Sequence, residues 1–93
     1  MTSPLPPRAE SLIEYPCNFP IKVMGLKVAG FVDAMCGLAA RHDPFFDRNA
    51  IELRDSSSGT YQGITLMITA TSREQLDGLY RELTSHPMVK VVL

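Results

Sequence analysis

The feature that most constrains the fold is the order in which two hydrophobic periods follow each other along the chain. Apolar residues recur at every second position in four short segments, and at three- and four-residue steps in two longer segments between them. A period of two is typical of a strand with one buried face, and a period near 3.6 is typical of an amphipathic helix. The segments therefore predict the element order β-α-β-β-α-β.

The first half of the chain supplies a strand, a helix and a short second strand. The first strand covers residues 19–24 and stops at Gly25. A helix is predicted over residues 27–42, with an apolar face formed by Val28, Phe31, Val32, Met35, Leu38 and Ala39. It ends at Asp43-Pro44, because the residue before a proline is disfavoured in the helical region. The second strand is predicted over residues 51–54, where apolar and charged residues alternate.

The second half of the chain supplies two strands and a helix. Residues 55–59 form a Ser- and Gly-rich turn cluster, and residues 64–70 alternate with many β-branched side chains, so a hairpin is expected. Thr71 and Glu74 have the spacing of a capping box, which predicts the start of a second helix. Residues 89–93 are predicted to form the last strand.

This element order predicts an α+β, ferredoxin-like βαββαβ fold. Right-handed crossovers give a four-stranded antiparallel sheet in the order 4-1-3-2, with both helices on one face. We expect a single domain over residues 13–93. Residues 1–12, which contain Pro4, Pro6 and Pro7, are expected to form a disordered tail. The second and fourth strands should be the edges of the sheet, and the sheet face without helices should be open.

Composition excludes several classes of function. Nine Lys and Arg residues against ten Asp and Glu give a net charge of −1, which lacks the basic excess of a nucleic-acid-binding protein. No apolar run is long enough to span a membrane and no secretory signal is evident, so no membrane association is expected. Cys17 and Cys36 lack CxxC spacing and predict free thiols in a cytoplasmic protein.

The residues that usually carry chemistry do not form a recognisable site. Cys36 and His42 are six positions apart in the predicted first helix, and their side chains therefore point about 240° apart. The two His and two Cys residues are spread over four elements, which matches no metal-ligand spacing. We therefore predict no catalytic residue, no metal and no cofactor, and a protein that is not an enzyme.

The run from Glu14 to Gly25, EYPCNFPIKVMG, resembles the opening of the YbeD-like family of small bacterial proteins. Further motifs agree with that family in order and spacing: His42-x-Pro44, Ser57-Ser58-Gly59-x-Tyr61, Leu79-Tyr80-x-x-Leu83 and Val89-x-x-Val92-Leu93. The resemblance covers residues 14–93. It implies a ferredoxin-like fold similar to that of ACT domains, which bind amino acids and regulate metabolic enzymes. ACT domains typically carry an acidic or amide residue followed by Pro-Gly after the first strand, and this chain has no such motif there.

Two surfaces are candidate binding sites. The loop from Gly25 to Gly30 opens the N-terminus of the first helix near the middle of the sheet, which makes it the best available site for a small-molecule ligand. The second surface is the open face of the sheet beside the last strand. Ile21, Val23, Val89 and Val91 are expected to point to the other side of the sheet, towards the helices. On the open side we expect Lys22, Met24, Met67, Lys90 and Val92.

These observations predict a non-enzymatic regulatory or binding module resembling ACT domains. It would act by association with a second copy, with a protein partner or with a small-molecule effector, through the open face and the C-terminal edge strand. Two alternatives stay open. One is an enzyme of unknown type that uses the Gly25–Gly30 loop and Lys22, and the other is an RNA-binding module, which the missing aromatic pair on the central strands disfavours.

Overall fold

A computed structural model describes residues 14–93, and the predicted tail at residues 1–12 lies outside them. The strands are β1 (Cys17–Leu26), β2 (Glu52–Asp55), β3 (Tyr61–Ala70) and β4 (Val89–Val92). The helices are α1 (Phe31–His42) and α2 (Arg73–Ser85), and a short 3-10 helix covers Arg48–Ala50. All strand pairs are antiparallel, in the order β2-β3-β1-β4. The predicted ferredoxin-like α+β fold is confirmed.

The core lies between the helices and the two central strands. β1 and β3 pair over ten residues each, from Cys17 opposite Ala70 to Leu26 opposite Tyr61. Alternate residues of both strands face the helices and are fully buried: Ile21, Val23, Ile64, Leu66 and Ile68. The helices contribute Phe31, Met35, Leu79 and Leu83 to the same cluster. Because side chains alternate along a strand, the positions between the buried residues of β1 and β3 point to the open side.

Helix α1 begins later than its apolar period predicts. Its first residue is Phe31 rather than Lys27, and Gly30 before it has a φ of 90°, a left-handed conformation that breaks the helix. Gly25 lies under the Phe31 ring, where an added Cβ would be 2.4 Å from Phe31 Cε1 and 2.3 Å from the Met88 carbonyl oxygen. Gly25 therefore lets the start of α1 and the start of β4 pack directly on β1.

The capping residues of helix α2 lie one position after the predicted pair. Ser72 rather than Thr71 is the N-cap, and its Oγ accepts a hydrogen bond from the backbone N–H of Gln75 at 3.0 Å. The Gln75 Oε1 atom accepts a hydrogen bond from the Thr71 N–H at 2.7 Å. The Thr71–Glu74 prediction is wrong, because the neighbouring Ser-x-x-Gln sequence has the same capping spacing.

Strand β4 has the opposite phase to the one predicted at two positions. Val92 lies opposite Val23 and packs against the core, whereas Val91 lies opposite Met24 on the open face. The pairing shifts by one residue, so that Val89 is opposite Gly25 and Lys90 is the extra residue of a β-bulge. The prediction that Val92 faces outward and Val91 inward is wrong, because the bulge interrupts the period of two.

A buried carboxylate joins helix α1 to the far end of β3. Asp43 is 1% exposed, and its carboxylate accepts hydrogen bonds from the backbone N–H groups of Phe45 at 2.9 Å and Thr69 at 2.8 Å. Gln75 completes the junction, because its Nε2 donates to the carbonyl oxygens of Thr69 at 2.9 Å and His42 at 2.8 Å. β2 pairs with β3 only as far as Thr65, so it does not reach Thr69. Asp43 and Gln75 therefore provide the hydrogen-bond partners of the Thr69 N–H and carbonyl groups.

Candidate binding face of the sheet

The open face consists of the sheet side chains that point away from the helices. Side chains directly opposite each other in antiparallel strands share a face, so the register arranges this face in rows across the strands. Row 1 is Pro20 and Met67; row 2 is Leu93, Lys22, Thr65 and Glu52; row 3 is Val91, Met24, Gly63 and Arg54; row 4 is Leu26 and Tyr61. One further pair on this face, Asn18 and Thr69, lies beyond row 1 at the end of β1.

The open face has an apolar half and a charged half. Met24 is opposite Val91 on the side of β4, and both are exposed. Leu93, in the next row, is 75% exposed. The charged half lies on β2, where Glu52 and Arg54 are exposed. The open face therefore changes from apolar to charged across the sheet, from the β4 side to the β2 side.

A shallow groove with a volume of about 670 Å³ lies in the middle of the open face. Its floor is Gly63, where an added Cβ would make only ordinary contacts, at 3.5 Å from the Arg54 carbonyl oxygen and 3.9 Å from that of Val23. Met24 lines one side of the groove, and Arg54 lines the other. The missing side chain of Gly63 thus makes the depression between them.

The charged groups of the groove are available to an incoming molecule. Lys22, Glu52 and Arg54 make no ion pair with any of residues 14–93. At the rim, Asp55 accepts hydrogen bonds from Lys27 Nζ at 2.5 Å and Gln62 Nε2 at 3.3 Å. The groove therefore offers two cations and one carboxylate that form no ion pair with the described part of the chain.

The other candidate surface, the Gly25–Gly30 loop, does not join Lys22 in one site. Gly25 is buried on the helix side under Phe31, whereas Lys22 points to the open face. At the other end of the loop, the Phe31 N–H donates to the Val28 carbonyl oxygen at 3.2 Å. The two parts of the enzyme alternative therefore lie on opposite sides of the sheet.

The cysteine and histidine side chains have structural environments. Burial raises the pKa of the Cys36 thiol, which is 3% exposed in the core, so this thiol is a poor nucleophile. His42 Nε2 is 3.0 Å from Glu82 Oε2, and the Met88 N–H donates to His86 Nδ1 at 3.1 Å. Within residues 14–93 no group of three metal-ligating side chains comes together.

Three of the seven predicted binding residues lie together on the open face: Lys22, Met24 and Met67. Lys90 is exposed at the bulge of β4, whereas Gly25 and Val92 pack on the helix side and Gly30 caps α1. Sequence reasoning missed the groove residues Gly63, Glu52 and Arg54. An isolated glycine in a strand pattern was the available signal, but the third strand was predicted to begin after it.

No helix within residues 14–93 has the length and apolarity needed to cross a membrane. The fold and the open face define a small ferredoxin-like domain in which the described residues cover only one face of the sheet. Residues 10–93 match the family described as "Protein of unknown function (DUF493)". The chain belongs to this family, which is the YbeD-like family of small bacterial proteins, as its motifs predicted.

Several relatives match along nearly their whole length. A UPF0250 protein of Leptothrix cholodnii is 59% identical over 87 residues, which cover 94% of this chain and 96% of the relative. A UPF0250 protein of Ralstonia nicotianae is 55% identical over 91 residues, covering 98% and 94% of the two chains. A UPF0250 protein of a Janthinobacterium species is 58% identical over 84 residues, covering 90% and 92%.

Proposed function

We propose that this protein is a non-enzymatic regulatory module that acts by binding a partner through the open face of its sheet. The observation that carries the proposal is the combination, on one surface, of exposed apolar side chains and charged groups without ion partners in residues 14–93. A contiguous apolar patch rimmed by polar groups is typical of an interaction surface. The free thiols of Cys17 and Cys36 support a reducing, cytoplasmic location.

The regulatory part of the proposal is supported by the likeness of the fold to ACT domains. The loop after β1 lacks their Pro-Gly motif, and Gly25 within it is buried under Phe31. Contact with a ligand or partner is therefore better supported at the open face, where Lys22, Met24 and Arg54 line the groove.

The edges of the sheet support the open face as the contact surface, because each edge strand carries features that discourage pairing with an added strand. β4 has four residues and a bulge at the exposed Lys90. β2 also has four residues, and Glu52, Arg54 and Asp55 are all charged. Short strands, bulges and charged side chains protect sheet edges from added strands.

Pro20 protects the remaining stretch of edge, on β1. β4 reaches only as far as Lys22, which exchanges backbone hydrogen bonds with Leu93 at 3.3 and 2.7 Å. Backbone groups of alternate residues point to the same edge, so those of Pro20 point past the end of β4. Proline has no N–H to offer there, and it is tolerated because no strand of the described chain pairs at that position.

The proposal is tested by charging the open face at Val91. Val91 is 46% exposed on that face, and Val28, which lies in the loop before α1 and in none of the four rows, is 48% exposed. We expect Val91→Lys to lose the partner retained from an extract of the native cell, or the self-association measured by sedimentation. Val28→Lys, the matched control, should keep it.

Circular dichroism and thermal unfolding should show that both lysine variants stay folded, because neither valine belongs to the buried core. The proposal is wrong if Val91→Lys retains every partner and every association of the parent chain. It is also wrong if the two variants lose them equally.

A further inference from the structure

We propose that the open face binds the open face of a second copy of this chain, about a two-fold axis that runs across the strands between row 2 and row 3. This inference rests on the proposed binding role of the open face, and it names the partner and the register. A two-fold contact requires a surface that is complementary to itself, and the four rows have this property.

The two-fold axis places each strand over the same strand of the second copy, running in the opposite direction. Row 2 then lies over row 3 of the partner, and row 1 lies over row 4. Sheets that pack face to face are about 10 Å apart, with strand directions within about 30°. A rotation about an axis across the strands maps the twist of the sheet onto itself, so the two twisted surfaces keep an even spacing.

This register pairs Glu52 with Arg54, and neither side chain has an ion-pair partner within residues 14–93. Glu52 in row 2 lies over Arg54 of the second copy, and Arg54 in row 3 lies over Glu52 of the second copy. Two symmetry-related ion pairs therefore form on the β2 side of the interface. A contact displaced by one row would place Glu52 over Glu52 or Arg54 over Arg54, so the charges select this register.

The same register places apolar side chains over apolar side chains in the other half of the face. Leu93 in row 2 lies over Val91 of the second copy in row 3. At the ends of the face, Met67 in row 1 lies over Tyr61 in row 4, where a sulfur–aromatic contact is favourable. The exposed apolar side chains of these rows are thereby covered.

The groove also fits this arrangement. Thr65 in row 2 lies over Gly63 of the second copy, so a side chain stands above the position that has none. Lys22 lies over Met24 of the second copy, where its aliphatic stem covers the thioether and its ammonium group reaches the rim. The depressions at Gly63 in both copies are filled by the two symmetric Thr65 side chains.

Reversing the charges of Glu52 and Arg54, singly and together in the full chain, tests whether the partner is a second copy and whether the two copies pair in this register. Sedimentation equilibrium should show the parent as a dimer. Glu52→Arg and Arg54→Glu should each weaken the dimer by about tenfold or more, because like charges then face each other across the axis. The double variant, Glu52→Arg with Arg54→Glu, should restore the parent affinity, because it exchanges the two partners.

Cross-linking gives a second measure of register that does not depend on charge. In a Cys17→Ser background, Met67→Cys protein mixed with Tyr61→Cys protein should be joined by a short bis-maleimide reagent. In the dimer, position 67 of one copy faces position 61 of the other. Each variant alone should cross-link far less, because its two cysteines would then be separated by about 20 Å, the distance between positions 61 and 67 along β3. The buried Cys36 is common to all samples.

A monomeric parent at high concentration would overturn the pairing of two open faces. A double variant that stays as weak as the single variants would also overturn it, as would a separate Cys variant that cross-links as strongly as the mixture of the two. These outcomes are distinct from failure of the proposed function: a monomer whose other partner is lost in Val91→Lys supports the binding face and contradicts only the second copy as its occupant.

Discussion

Gly25 and Gly63 lie on the two central strands, but a methyl group would meet very different surroundings at each. At Gly25 it would overlap the Met88 carbonyl oxygen and the Phe31 ring, at 2.3 and 2.4 Å. At Gly63 it would point into the groove, with the nearest atom 3.5 Å away. The first glycine is therefore required by packing, and the second leaves space on the open face.

We expect Gly25→Ala to lower the free energy of unfolding by about 1–3 kcal/mol, because the backbone of β4 must move to relieve the overlap. Gly63→Ala, the matched control, should leave it unchanged or raise it by about 0.5–1 kcal/mol, because glycine weakens a strand. Urea unfolding followed by circular dichroism measures both. Equal losses in the two variants would contradict the packing difference.

At the scale of single residues, the sequence was informative where a local rule decides the structure. Asp43-Pro44 was predicted to end the first helix, and α1 does end at His42. The hydrogen bond from the Thr69 N–H to Asp43 was not predictable, because it joins residues 26 positions apart. Gln75 was missed for the same reason, since its bond to the His42 carbonyl oxygen spans 33 positions.

At the scale of elements, the junction of α1, β3 and α2 depends on these polar side chains. Asp43→Ala should lower the free energy of unfolding by about 1–3 kcal/mol, because it leaves the part-buried Thr69 N–H without the Asp43 carboxylate as its acceptor. Asp47→Ala is the control: Asp47 caps the 3-10 helix through the Asn49 N–H but is exposed, so the loss should stay below about 1 kcal/mol. Denaturant unfolding that shows equal effects would mean that Asp43 is not essential to the junction.

Long periodic segments were predicted well, and short or irregular ones were not. β3 contains the seven-residue alternation from Ile64 to Ala70, which specifies its buried face. β4 has only four residues, and Val-Lys-Val-Val fits either phase once Lys90 is placed in a bulge. Val28 fits the helical period, but Gly30 in its left-handed conformation separates it from α1. These differences depend on backbone geometry that a residue pattern does not encode.

At the scale of the whole molecule, stability should be uneven across the sheet. β1 and β3 share ten paired positions and carry the buried core, whereas all four residues of β2 are exposed. Edge elements with few buried contacts open locally at low free-energy cost. The molecule is therefore expected to have a rigid centre and a less stable margin on the β2 side.

Hydrogen exchange measures this gradient directly. The hydrogen-bonded amides within residues 21–23 and 64–68 should exchange most slowly, with protection that approaches the global free energy of unfolding. Amides of residues 52–55 should exchange faster by local opening, and their rates should fall as protein concentration rises if β2 is covered in a dimer. Uniform protection across the four strands would contradict the gradient.

The ring of Pro20 has a consequence for how large any assembly of this protein can become. Polymers that grow through sheets need a strand edge that stays open after each addition, and a proline on the edge interrupts the hydrogen bonding that such growth requires. A contact through the open face, in contrast, occupies the same surface on both molecules and leaves no copy of it free. The protein should therefore stop at a closed pair and not extend into filaments, even when it is concentrated.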